Sequence, residues 1–204
     1  MYVACLNLHF PGGALRERAS EALARIGALP SPCLVLLQEA CATTARAIAA
    51  GTQETHEAFV SDGVAPLLLT LVPLGARIRV RAVAFPPGLT RMRRAAHLVD
   101  VVDFPRASPA SGARGAPLVV AHVHLESCAS SARLRDAQAA WLRSEHGATV
   151  LAGDLNGLGG WRTHALALGG AALPKVRCER LRGSPHPMCV YSVSARAGNT
   201  PRAS

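Results

Sequence analysis

Apolar residues in this chain come in short runs, and four of the runs break off into residues that carry chemistry. YVACLNL at 2–8 reaches Asn7, CLVLLQEA at 33–40 reaches Glu39, PLVVAHVHL at 117–125 reaches His124, and ATVLAG at 148–153 is followed by Asp154. An apolar run of about four to eight residues between polar or turn-forming neighbours is a buried β-strand. An acid directly after such a run needs a partner or a cation, because an isolated buried charge is too costly. The chain is therefore constrained to build sheets whose strand ends deliver an amide, two carboxylates and an imidazole.

Helical patterns lie between the strands. ALRERASEALARIGAL at 14–29 puts Leu15, Ala19, Ala22, Leu23 and Ile26 on one stripe. ATTARAIAAGT at 42–52 also reads as helix, as does SARLRDAQAAWLRSEH at 131–146, with Leu134, Ala137, Trp141 and Leu142 near one face. Further strands are predicted at 66–72, 78–85, 95–104 and 187–195. RASPASGARGAP at 106–117 reads as loop, and 196–204 as a disordered tail. No segment repeats. The sum is one mixed α/β layered domain over 1–195, an expectation that suits a chain of 204 residues.

Lys and Arg number 22 against 13 Asp and Glu, a net charge of +9, and Lys175 is the only lysine. Arginine grips phosphate bidentately, so a polyanionic partner is expected, nucleic acid first. An Arg/Ala-biased, GC-rich genome gives the same composition and stands beside that reading. The six cysteines form no C-x-x-C pair, which excludes zinc-finger spacing. Cys5, Cys33 and Cys189 lie in apolar runs and read as core thiols, implying a reducing compartment, nuclear or cytoplasmic. MYVACLNLHF lacks a basic leader, and no apolar run spans a bilayer, so neither a signal peptide nor a membrane partner is expected.

The segment LAGDLNGLGG carries Asp154, Asn156 and four glycines. On an extended segment Asp154 and Asn156 point to the same side and together suit a hydrated cation and a phosphate oxygen, with the glycines letting a substrate backbone approach. Ordinary Asp-x-Asn-Gly turn chemistry is the competing reading. His122 and His124 form H-x-H, which also suits a zinc pair; Glu126 then stands where a zinc hydrolase would carry Asp.

In order and spacing, Asn7 in CLNLH, Glu39 in LLQEA, His124 in HVHLES and Asp154/Asn156 in AGDLNG resemble the motifs of the endonuclease/exonuclease/phosphatase superfamily. HLES, followed by Arg135 and Gln138, is similar to its tyrosyl-DNA phosphodiesterase 2 branch, and LTRMRR at 89–94 resembles that branch's T-K-M-M-R segment. KVRCERL at 175–181 and SPHPMCVY at 184–191 resemble its closing motifs, with Glu179 where Asp is usual and Pro185 replacing the Asp of S-D-H. Only Gly157 to Pro174 stands where the family carries a longer, aromatic-rich stretch.

The resemblance implies a two-layer β-sandwich flanked by helices, with the site at one edge of the sheets. It implies a monomeric, Mg²⁺- or Mn²⁺-dependent phosphodiesterase acting on DNA, with a 5′-tyrosyl adduct as the specific substrate and DNA repair as the setting. Glu39 would hold the metal, and Asp154 would orient or deprotonate the attacking water. Asn7 and Asn156 would hold phosphate and water. His124, and His186 paired with Glu179, would donate to phosphoryl oxygens, while Arg94 and Arg135 would bind substrate. A phosphatase acting on a small or lipid phosphate ester is the alternative. So is a catalytically impaired relative that only binds nucleic acid.

Overall fold

The computed structural model describes residues 1–8, 15–62, 66–104, 118–158, 165–167, 175–180 and 187–193. Two β-sheets stack face to face. The strands of the first are β1 (Tyr2–Asn7), β2 (Cys33–Ala40), β3 (His56–Val60), β4 (Leu67–Pro73), β10 (Lys175–Arg180) and β11 (Pro187–Ser192), in the order β10-β11-β1-β2-β4-β3. The second holds β5 (Arg77–Ala84), β6 (Ala95–Asp103), β7 (Leu118–His124), β8 (Val150–Asp154) and β9 (Ala165–Ala167), in the order β5-β6-β7-β8-β9. Near the middle of each sheet lies one parallel pair, β1 with β2 and β7 with β8. Those four strands therefore end at the same edge of their sheets, and they are the four whose apolar runs end in polar residues.

Helices α1 (Leu15–Gly27) and α2 (Ala42–Thr52) cover the outer face of the first sheet, and α3 (Ala132–His146) covers the second. The result is the expected α/β sandwich. Ala19, Ala22 and Ile26 of α1 pack with Ala4, Leu6, Val35 and Leu37. α2 starts on a capping box in which Cys41 Sγ accepts from the Thr44 amide, while Thr44 Oγ1 accepts from the Cys41 amide at 2.9 Å. The two helix-crossing connections feed the parallel pairs, as parallel strands require.

Strand alternation sorts the interior. Val3, Cys5, Leu34, Leu36, Val99, Val120 and Val150 face the space between the sheets and make it dry. Continuing in steps of two, the same faces carry Asn7, Gln38, His97, His122, His124 and Asp154, all buried. The gap between the sheets thus grades from apolar to polar toward the edge where β1, β2, β7 and β8 end. Among the described residues, no helix is long and apolar enough to cross a membrane. The core readings of Cys5, Cys33 and Cys189 hold: all three are buried, and all are free thiols.

Two strands, β3 and β9, lie outside the sequence expectations. β3 (HEAFV) mixes polar and apolar residues because it is an edge strand, and β9 spans only three residues. The buried stripe of α3 also differs from the expected one. It is Arg135, Gln138, Ala139 and Leu142, while Leu134, Ala137 and Trp141 are only half-buried. Two polar side chains occupy that stripe because the backbone beneath it needs hydrogen-bond partners. The loop at 106–117 and the tail at 196–204 lie outside the described residues.

Gly153 in β8 has φ of +131°, and a Cβ there would overlap the Val123 carbonyl oxygen and stand 3.2 Å from Gln38 Nε2. Only glycine lets β8 close on β7 at this point. Gly153→Ala is expected to lose about 3 kcal/mol or more of stability, from overpacking combined with backbone strain. Urea unfolding of the two proteins measures it, and a loss below about 0.5 kcal/mol would contradict this role.

Candidate active site

Four side chains from the two parallel strand pairs meet at the polar edge. Asn7 Nδ2 donates to Glu39 Oε1 at 2.9 Å and to Asp154 Oδ2 at 2.7 Å. His124 Nε2 lies 3.7 Å from the same Glu39 oxygen and 3.8 Å from the same Asp154 oxygen. One ligand atom from each of Glu39, His124 and Asp154 falls within 4.8 Å of the others. Glu39 comes from one sheet and Asp154 from the other, so the site exists only because the sheets stack.

Asn7 and Asp154 arrive by simple alternation from the apolar faces of β1 and β8. Glu39 does not. Leu37, two residues earlier, faces the helix layer, and strict alternation would send Glu39 there too. Between Leu37 and Ala40 the β2–β4 register slips: three steps along β2 match two along β4, from Leu69 to Leu67. This is a bulge, and Glu39 sits in it with φ of +56°. The bulge turns the carboxylate to the inter-sheet side against a steric cost of order 1–3 kcal/mol.

His124 has its tautomer fixed by Arg94. The Arg94 Nη1 donates to His124 Nδ1 at 3.0 Å, and a guanidinium has no acceptor. Nδ1 therefore carries the lone pair and Nε2 carries the proton, which points at the two carboxylates. Arg94 is itself buried, with Nη2 donating to Ser127 Oγ at 3.0 Å. Burial pushes the Arg94 guanidinium down from its ordinary value, opposed by the charges of Glu126, Glu39 and Asp154. Arg91 and Arg93 are exposed, so the LTRMRR run divides into two solvent-facing arginines and one that faces the site.

Asn156 departs from the extended geometry expected of it. It has φ of +47° and sits with Gly157, φ +93°, at the centre of a turn closed by Leu158 N to Leu155 O at 3.0 Å. Its side chain donates to Leu125 O at 2.7 Å, and its amide donates to Asp154 Oδ1 at 3.0 Å. Turn chemistry describes it correctly, and its contact with Asp154 runs through the backbone. Gly153 serves β7–β8 closure.

Arg135, expected to bind substrate, is buried, and its Nη1 donates to Glu126 O at 3.1 Å and Cys128 O at 2.7 Å. Gln138 Oε1 accepts from the Glu126 amide at 3.2 Å. The R-x-x-Q pair thus holds the backbone of the HLES segment. Glu126 in turn accepts from Thr90 Oγ1 and from the amides of Arg91 (2.8 Å) and Met92 (3.0 Å), and so fixes the loop that carries Arg94. Glu179 lies on β10 opposite Met188, and its side chain is outside the described residues, as is all of His186.

His122 is no zinc ligand, because both of its ring nitrogens are engaged. Nε2 meets Gln38 Nε2 at 2.8 Å, and Nδ1 meets Thr70 Oγ1 at 2.8 Å. Thr70 Oγ1 also meets His97 Nδ1 at 2.8 Å. Burial pushes both imidazoles down, His97 to about 4 and His122 well below the ordinary histidine value, so both are neutral near pH 7. Thr70 and His97 belong to no recognisable sequence motif, and their only signal is polarity inside runs that are otherwise apolar. Gln38 and Glu126 lie inside LLQEA and HLES, but those motifs do not disclose what the two side chains hold.

No protein-family model matches the sequence, and no curated protein is similar enough in sequence to register as a relative. Among solved structures the chain is similar to a humanized D. rerio TDP2, with a TM-score of 0.65, 15% identity, and 95% of this chain and 99% of that chain covered. It is also similar to D. rerio TDP2 complexed with single strand DNA product, with a TM-score of 0.61, 16% identity, and 97% and 85% covered. An endonuclease/exonuclease/phosphatase from Bacteroides vulgatus matches with a TM-score of 0.52, 17% identity, and 76% and 65% covered. The fold is therefore that of the endonuclease/exonuclease/phosphatase proteins.

The Glu126 clamp has a pH signature. Desolvation raises its carboxyl, but hydrogen bonds from Thr90, Met92 and Arg91 and the charge of Arg94 outweigh that and hold it below the ordinary value of 4.5. A depressed folded-state carboxyl stabilises the fold fully above the unfolded value and loses that contribution as pH falls through the folded one. Glu126→Gln should therefore be less stable than wild type at pH 7, and the gap should shrink once pH drops below 4.5. Urea unfolding across that range measures it. A gap that stays constant with pH would contradict the clamp.

Proposed function

We propose that this chain is a metal-dependent phosphoesterase that hydrolyses phosphodiester bonds in DNA, with 5′-tyrosyl-DNA as its specific substrate. One observation carries the reading: Glu39 and Asp154, from opposite sheets, converge on the Asn7 amide with the N–H of His124 facing both. Two carboxylates this close repel unless cationic or donor groups stand between them. Asn7 supplies a donor, and the oxygen-rich pair suits an oxygen-seeking divalent ion. Mg²⁺ or Mn²⁺, held through Glu39, would stabilise charge on the phosphoryl and leaving oxygens.

The chain's own groups divide the remaining work. Asn7 keeps the two carboxylates in register. Asp154, tied through Oδ2 to Asn7 and through Oδ1 to the Asn156 amide, has a fixed plane and orients or deprotonates the attacking water. His124 cannot accept a proton at Nδ1 while Arg94 donates there, so its role is to donate from Nε2 to a phosphoryl oxygen. Arg94 draws substrate charge toward that oxygen while it orients the imidazole. Arg91 and Arg93, exposed on the adjoining loop, suit a nucleic-acid backbone, and the net charge of +9 favours DNA over a small ester. The single-stranded DNA in the complex of D. rerio TDP2 supports the same substrate class. His186, paired with Glu179, is retained as a second donor at the phosphate, and a nuclear or cytoplasmic monomer remains the expectation.

Glu39→Ala and Asp154→Ala should each lower Mg²⁺-dependent cleavage of a 5′-tyrosyl oligonucleotide by about a thousandfold, with circular dichroism unchanged. Full activity in both folded variants would refute the site. Parallel assays on an unmodified oligonucleotide and a small phosphate ester separate the substrate classes. Activity confined to the small ester would replace the DNA reading with the phosphatase one. His186→Ala should also slow cleavage, by about a hundredfold. An unchanged rate would remove it from the mechanism.

A further inference from the structure

Behind the candidate site a chain of buried polar groups crosses from one sheet to the other. It comprises Gln38 on β2, Thr70 on β4, His122 on β7 and His97 on β6, and none is more than 2% exposed. Its bonds close in one continuous proton arrangement. Gln38 Nε2 lies 2.8 Å from Leu36 O, which can only accept, so the amide nitrogen is correctly placed there. The same nitrogen must then donate to His122 Nε2, which puts the imidazole proton of His122 on Nδ1. That proton goes to Thr70 Oγ1, and the hydroxyl proton of Thr70 goes on to His97 Nδ1. Every donor in it points the same way, and both histidines, pushed down by burial, are neutral as it requires.

The end of this chain adjoins the catalytic geometry. Gln38 precedes Glu39 in the bulge. Its Nε2 stands against Gly153, close enough that a Cβ there would come within 3.2 Å, and Gly153 precedes Asp154. The residues before the two carboxylates thus face each other across the sandwich, at the place where the chain of hydrogen bonds pins one of them. Gln38 Oε1 is buried without a partner among the described residues, so the amide is held by its donor bonds.

We infer that Thr70, His122 and His97 are positioning residues whose hydrogen-bonded chain clamps Gln38 and so sets where Glu39 stands relative to Asp154. The inference rests on the metal-site reading of Glu39 and Asp154. The strained backbone of Glu39 gives the clamp something to act on. Without a pinned neighbour, a residue with φ of +56° in a bulge relaxes toward ordinary strand geometry, which turns its side chain to the helix side. A chain that only stitched the two sheets together would contribute to stability and leave metal binding in the folded protein untouched.

The test is Mn²⁺ binding to the full-length protein, read by electron paramagnetic resonance, beside the thermal midpoint of each variant. Wild type should bind Mn²⁺, and Glu39→Gln should not. Thr70→Val, which keeps the shape and removes the hydroxyl, should weaken Mn²⁺ binding by about tenfold or more in the folded protein, and Thr70→Ser should restore it. Should Thr70→Val fail to fold, His97→Leu breaks the far end of the chain and is expected to weaken binding in the same direction. Wild-type affinity in a folded Thr70→Val or His97→Leu protein would overturn the clamp and leave the metal site standing. Absence of Glu39-dependent binding in the wild type would overturn both.

Discussion

Asn7 Nδ2 donates at once to Glu39, from its own sheet, and to Asp154, from the opposite one. That pair of hydrogen bonds ties the two layers together at the edge where four strands end. It also brings two carboxylates close enough to repel each other, a conflict that the Asn7 nitrogen donor relieves and that a bound cation would relieve further. The surrounding features serve this arrangement. Asn7 continues the inter-sheet face of Val3 and Cys5, Asp154 continues that of Val150 and Ala152, and His124 lies two residues beyond His122 on a third strand. A dry sheet interface supplies rigidity, and its last step on each strand supplies chemistry.

Three local devices let regular strands converge so tightly. The bulge at Glu39 reverses a side chain that alternation would have lost to the helix layer. Gly153 removes the Cβ that would hold β7 and β8 apart. The turn at Asn156 and Gly157 folds the chain back so that an amide reaches Asp154 Oδ1. Each places backbone in positive-φ space, and each lies within two residues of a site carboxylate. Strain gathered in this way at a site and absent from the neighbouring strands is characteristic of pre-organised geometry, since the surrounding packing must hold what the local backbone disfavours.

Around those groups a second ring of polar residues does the holding. Glu126 fixes the loop that carries Arg94, Arg94 fixes the tautomer of His124, and Arg135 with Gln138 fixes the backbone of Glu126 and Cys128. The effect is a series of directed hydrogen bonds ending at one imidazole. The HLES and R-x-x-Q motifs are adjacent in space because the helix after the loop turns its polar stripe inward, where a purely apolar stripe would leave carbonyls unpaired.

Sequence alone determined the strand runs other than β3 and β9, the three helices and the identity of four converging residues. Apolar runs and a 3.6-residue stripe are local consequences of burial, and Asn7, Glu39, His124 and Asp154 each follow a buried run where a polar residue demands a reason. Tertiary structure decided how those residues are used. The Glu39 carboxylate reaches the site through a bulge that leaves no mark in CLVLLQEA. Arg135 reads as a free cation until α3 is seen packed on the carbonyls it serves. Asn156 looks coplanar with Asp154 until the turn reverses it. The link from Thr70 through His122 to Gln38 joins residues on three strands, far apart in sequence, and nothing local announces it. Hydrogen-bond direction and inter-sheet distance are properties of packed layers, so the sequence names the groups while the stacking of the two sheets assigns their roles.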